Sequence, residues 1–221
     1  MKNVLSLFII IGLLFSGCSS QPHQVLCLGN SMTLHAPNEN VGWFSDWGMA
    51  ASCRENDYCH ILDKELKQRN KNASVTPLNI AFWERNPYCN IDSLICRYLD
   101  GKDMVIIRLG ENVRDIEAFK ERIQDLIEVC LKQTSNVIVT GCFWPDEEKD
   151  AILKEVALSN KLPFIPLDWI LREHEDIAYP SLDGSICGLD GMPYKLTNTE
   201  VLRHPGDEGM RMIAESIMQA I

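Results

Sequence analysis

No Cys-x-x-Cys pair and no His-Glu-x-x-His occur in the 221 residues, so the spacings that announce a zinc site are missing. Basic runs are missing as well: 21 Lys and Arg stand against 31 Asp and Glu, a net charge of -10. Nucleic acid and anionic lipid surfaces are therefore poor partners. There is no internal repeat, no low-complexity tract and no linker, which argues for one domain with a sizeable core. Beyond residue 20 no apolar run is long enough to span a bilayer.

The one long apolar run, residues 4–15, follows Lys2 and leads into Ser16, Gly17 and Cys18. It is short for a membrane span and has the layout of a secretory signal. Leu14-Phe15-Ser16-Gly17-Cys18 resembles a bacterial lipobox. That resemblance implies a signal peptide over 1–17, lipidation at Cys18, a tether over 18–23 and a folded domain over 24–221. The membrane would then be a partner only through the lipid, and the location would be the cell envelope. Of the nine cysteines, eight remain after Cys18. Cys53 with Cys59, or Cys89 with Cys96, are close enough in sequence for local bridges. Cys27 and Cys142 sit in strand-like runs, where a thiol packs as a small hydrophobe. Free thiols are the expectation.

Apolar runs alternate with helical periods along the rest of the chain. Strands are expected at 25–28, 74–80, 104–109, 136–140 and, interrupted by Pro163 and Pro166, at 162–167 on a sheet edge. Helices are expected at 57–68, 91–99, 115–132, 146–159 and 206–221. In the third of these Ile116, Phe119, Ile123, Leu126 and Cys130 share one face. Residues 172–200 show no clear period. Strand and helix in alternation predict an α/β sandwich with a mostly parallel sheet, whose ligands bind beyond the carboxyl ends of the strands.

Three short motifs fall at such ends. Gly29-Asn30-Ser31 follows the first strand, Gly110-Glu111-Asn112 the third, and His204-Pro205-Gly206 precedes the last helix. A serine hydroxyl needs a base to become a nucleophile, and histidine titrates in the right range. The oxyanion formed on attack needs fixed donors, which an Asn side chain and backbone N–H groups supply. Each motif alone reads equally well as a turn or a helix start; together they lie where this fold class binds its ligands.

These residues resemble the SGNH (GDSL-like) hydrolase family. Gly29-Asn30-Ser31 is similar to its first block, Gly110-Glu111-Asn112 to its Gly-x-Asn block, and His204-Pro205 to its final Asp-x-x-His-Pro block. The resemblance brackets residues 29 to 204. It implies a flavodoxin-like three-layer α/β/α sandwich with a mostly parallel five-stranded sheet. It also implies Ser31 as nucleophile, His204 as base, and an oxyanion hole from Ser31, Ala81 and Asn112. An ester is the implied substrate, with an acetylated carbohydrate as the expected class, and no cofactor or metal is implied.

Three positions depart from the pattern. Ala81 stands where the second block has Gly, Val113 where an Asp is common, and Val201 where the acid that orients the histidine belongs. Either a backbone carbonyl orients His204 or another carboxylate does, with Asp168 and Asp190 as candidates. A fold retained for glycan binding without turnover, or a lipase or thioesterase, are the rival readings. Among the five tryptophans, Trp83 and Trp144 follow strand ends and are pocket candidates. Arg85 could meet a substrate carboxylate or hydroxyl, although a salt bridge with Glu84 or another acid is the plainer expectation. His35, four residues after Ser31, could crowd the site, although a surface-loop residue is the plainer expectation.

Overall fold

In the computed structural model, residues 23–181 and 184–221 are described. The expected signal segment, Cys18 and nearly all of the tether lie outside them. Five strands form one wholly parallel sheet: β1 (Gln24–Gly29), β2 (Ser74–Asn79), β3 (Met104–Ile107), β4 (Val137–Thr140) and β5 (Phe164–Ile165). Their order is β2-β1-β3-β4-β5. This is the flavodoxin-like order, whose switch point lies between β1 and β3. The fifth strand shrinks to two residues at the edge, between the prolines that interrupt its run.

Helices close both faces. On one side lie α1 (Tyr58–Arg69), α6 (Trp169–Ala178) and α8 (Asp207–Met218), packed on Val25, Cys27, Met104, Ile106 and Ile138. The other side holds α2 (Ala81–Arg85), α3 (Ile91–Leu99), α4 (Ile116–Gln133) and α5 (Glu147–Ser159), packed on Leu26, Leu28, Val105, Ile107 and Val139. Alternate strand residues thus feed opposite cores, which is why these strands are apolar throughout. Each buried Leu, Ile or Phe contributes roughly 1.5–3 kcal/mol.

The helix starts are set by short polar side chains. Asp57, Asn90, Asp115 and Asp146 each accept from the backbone N–H three residues on, at 2.8–3.1 Å. The aperiodic stretch has its own architecture: the antiparallel pair β6 (Ser185–Cys187) and β7 (Pro193–Lys195), then the short helix α7 (Thr199–Leu202). Its strands are too short for a period to show. Backbone bonds fix this hairpin instead, Cys187 N–H to Ser52 O at 2.8 Å and Leu189 N–H to Phe44 O at 3.0 Å, with Phe44 stacked on Tyr194. The eight described cysteines are all free thiols.

Candidate active site

β1 delivers Ser31 through a tight turn in which Thr33 and Leu34 both donate to Asn30 O, at 2.9 and 3.1 Å. The demand for glycine at 29 is one of space. A Cβ there would lie 1.9 Å from Thr33 Oγ1, and Thr33 is itself tied to the buried Tyr58 hydroxyl at 2.6 Å. The Ser31 carbonyl accepts from Met49 N–H at 2.9 Å, while no described residue accepts from the Ser31 N–H.

His204 arrives from the far end of the chain on the residue that follows α7 and Arg203, its own N–H bonded to Val201 O at 3.0 Å. Its Nε2 lies 2.8 Å from Ser31 Oγ, and its Nδ1 2.8 Å from the Glu200 carbonyl. A carbonyl only accepts, so Nδ1 carries the proton and Nε2 is left as a bare acceptor facing the serine hydroxyl. Of the two expected ways to orient this ring, the structure has the backbone carbonyl. Asp168 is paired with Arg172 at 3.3 Å, and Asp190 accepts from Tyr194. The Glu200 side chain points to Arg203, 3.6 Å away. Burial lowers the His204 pKa to about 4, although the bond to Glu200 pulls it up. The imidazole is therefore neutral at ordinary pH.

Trp144 walls the histidine. Its ring meets the imidazole edge-on at 5.3 Å, and its Nε1–H donates to Arg203 O at 3.0 Å, just ahead of His204.

Opposite stand Ala81 and Asn112. Ala81 opens α2 in ordinary backbone geometry, but its N–H donates to Asn79 Oδ1 at 2.9 Å. Asn112 offers an amide with two N–H bonds, one of which goes to Glu84 Oε2 at 3.0 Å. Beneath it lies a buried polar cluster that the motifs did not announce. Arg108 bonds Glu111 Oε1 and Asn30 Oδ1, both at 2.6 Å; Asn30 donates to Glu111 Oε2 at 2.6 Å. Glu84 accepts from Gly110 N–H at 2.6 Å. Burial is the largest influence on the Glu111 carboxylate and pushes its pKa up, but Arg108 together with the N–H bonds from Phe143 and Asn30 outweighs it and holds the pKa below the usual range. For Glu84 burial dominates, with Glu111 adding repulsion, and its pKa rises to about 7. The one sequence signal was Arg108 itself, a charge inside a strand expected to be buried on both faces.

Ser31, Ala81, Arg85, Asn112, Trp144 and His204 line one open cleft of about 470 Å³ at the switch point. Two expectations need correction. Trp83 is fully buried against Phe119 on the α4 side, because helix α2 turns it inward, and it does not line the cleft. Glu84 is turned inward by the same helix, so Arg85 does not pair with it; Arg85 Nη1 instead lies 3.4 Å from Asn112 Oδ1. His35 lines the cleft from its loop, its Nδ1 bonded to the carbonyl of the following Ala36 at 2.6 Å. Among the described residues no cluster of three His, Cys, Asp or Glu side chains is placed to hold a metal ion.

Neither a protein-family model nor a curated protein matches the sequence. Solved structures do. A catalytic mutant of Axe2, an acetylxylan esterase from Geobacillus stearothermophilus, superposes with a TM-score of 0.60 at 13% identity, over 89% of this chain and 93% of that one. A two-domain esterase active on acetylated mannans gives 0.54 at 16% identity, over 90% of this chain and 49% of its own. An extracellular lipase from Streptomyces rimosus gives 0.51 at 12% identity, over 90% and 100%. At such identities the likeness is one of fold: the chain shares the α/β architecture of these two esterases and the lipase.

Proposed function

We propose that this chain is an SGNH-type serine esterase that removes a short acyl group, such as acetyl, from a carbohydrate. The observation that carries the reading is the Ser31 Oγ to His204 Nε2 contact of 2.8 Å, with Nδ1 fixed on Glu200 O. His204 Nε2 takes the hydroxyl proton as Ser31 Oγ bonds to the ester carbon. The oxyanion is met by the Ser31 N–H and the second N–H of Asn112; the Ala81 N–H joins if Asn79 releases it. Collapse expels the sugar alcohol, which takes the proton from His204. Water then repeats the sequence on the acyl-Ser31 ester, releasing the carboxylic acid. Asn38, Asn79, Arg85 and Arg203 around the cleft suit sugar hydroxyls better than a fatty chain.

The neighbouring folds include esterases of acetylated xylan and mannan, which supports a glycan substrate. The lipobox-like N-terminus supports a lipid-anchored enzyme at the cell envelope. The test is release of acetate from acetylated xylan and of p-nitrophenol from its acetate and butyrate esters. Turnover should favour acetate and fall about 10³-fold or more in Ser31→Ala and in His204→Ala. A folded protein no faster than Ser31→Ala on every ester would refute the reading and leave glycan binding as the rival.

A further inference from the structure

The buried cluster contains a carboxylate with no part in the dyad. Glu84 is fully buried in α2, the short helix beyond β2, yet it does not take up the buried cation nearby, since Arg108 is spent on Glu111 and Asn30. What Glu84 does touch is the turn that carries Asn112. Its Oε1 accepts from Gly110 N–H at 2.6 Å and, more weakly, from Asn112 N–H at 3.4 Å; its Oε2 accepts from Asn112 Nδ2 at 3.0 Å. Asn30 Nδ2, next to the nucleophile, reaches Oε1 at 3.5 Å. Every contact is an N–H aimed at the carboxylate. Gly110 adopts φ +133°, and a Cβ there would lie 2.4 Å from Cys142 Sγ, so the turn has little freedom to re-form another way.

We infer that Glu84 is a positioning residue for the oxyanion hole: its ionised carboxylate clamps the Gly110–Asn112 turn and directs the second Asn112 N–H into the cleft. The inference rests on the esterase reading for its catalytic consequence, though the clamp itself does not depend on it. A carboxylic acid would present a hydroxyl where the turn offers only donors, so protonation breaks the clamp. The charged groups that face Glu84 are Glu111 and Arg108 from the end of β3; Arg85, on its own helix, points to the cleft. Burial and Glu111 bring its pKa to about 7, far above the value of about 4 for His204. The acidic limb of the rate profile therefore belongs to Glu84, while the base remains available well below it.

The experiment is kcat and KM against pH for wild type, Glu84→Gln, Asn112→Ala and the double variant, on p-nitrophenyl acetate. In wild type kcat falls below pH about 7. In Glu84→Gln it drops roughly 10- to 100-fold with KM little changed, and the limb near 7 disappears. Adding Glu84→Gln to Asn112→Ala costs no more than about twofold, because one residue acts through the other. An unchanged kcat and limb in Glu84→Gln, or full additivity in the double variant, overturns the inference. Should Glu84→Gln not fold, the Asn112 side-chain amide of wild type, assigned by its loss in Asn112→Ala, is followed by NMR. A midpoint near 7 upholds the clamp even in a protein that hydrolyses nothing, in which case the esterase reading alone fails; a flat response sinks the clamp.

Discussion

The two walls of the cleft are built on opposite principles. The histidine wall is neutral and local: His204 is oriented by a carbonyl four residues back and by a tryptophan edge, while the charged side chains of Glu200 and Arg203 lie exposed. The oxyanion wall is ionic and assembled from three strand ends, with Arg108, Glu111 and Glu84 fully or almost fully out of water. A buried ion pair is costly to desolvate, and removing one partner leaves an uncompensated buried charge. Here, among the described residues, no carboxylate stands behind the histidine, and the buried charge lies under the Gly110–Asn112 turn instead. The orientation of His204 is left to backbone geometry, and the buried charge is concentrated beneath the Asn112 turn.

The largest effect that can break this contrast is on the ionic wall. Arg108→Met leaves Glu111 buried without its cation and should cost about 3–5 kcal/mol of stability; a urea midpoint within error of wild type would show that the cluster is not held by that pair.

Next comes pH. His204 has a folded pKa below its ordinary value, so the stability it contributes is full above about 6.5 and lost as pH falls toward about 4. Glu84 has a raised folded pKa, so its contribution is full below about 4.5 and lost as pH rises through about 7. Between pH 7.5 and 4.5 the two oppose each other, each by up to roughly 3 kcal/mol. On acidification the Tm of Glu84→Gln should fall relative to wild type and that of His204→Gln should rise; identical shifts in both variants would erase the distinction between the walls.

Smaller is Trp144→Phe, which removes the bond to Arg203 O, worth about 0.5–1.5 kcal/mol. It should lower kcat several-fold, and a rise in KM alone would reassign the tryptophan to substrate contact. Smallest is Glu200→Gln, where only the backbone carbonyl is used. Activity within about twofold of wild type is expected; a loss of a hundredfold would mean the side chain orients the base after all.

What the sequence disclosed follows the same division. Regular, long-period elements were legible: the Ile116–Cys130 stripe marked α4, and Asp115 and Asp146 marked helix starts to the residue. Ser31, Asn112 and His204 were legible because they sit in compact motifs at strand ends. The clamp was not, since Glu84 and Glu111 are separated by 27 positions and nothing local distinguishes a buried acid from a solvated one. Trp83 misled for a related reason: five residues of helix decide whether a side chain after β2 faces the cleft or the core, and periodicity has no purchase on so short a segment. The hairpin β6–β7 escaped because its support comes from the backbone of residues 44 and 52 rather than from its own pattern.

The crowding around Gly29 bears on how loss of function would look in a comparison of sequences. Because Thr33 is anchored to Tyr58 and fills the place a side chain at 29 would need, a single methyl group there displaces the nucleophile's turn. A relative with Ala at this position would keep Ser31, Asn112 and His204, and an inventory of those residues would score it intact. The alignment of those groups would nevertheless be gone.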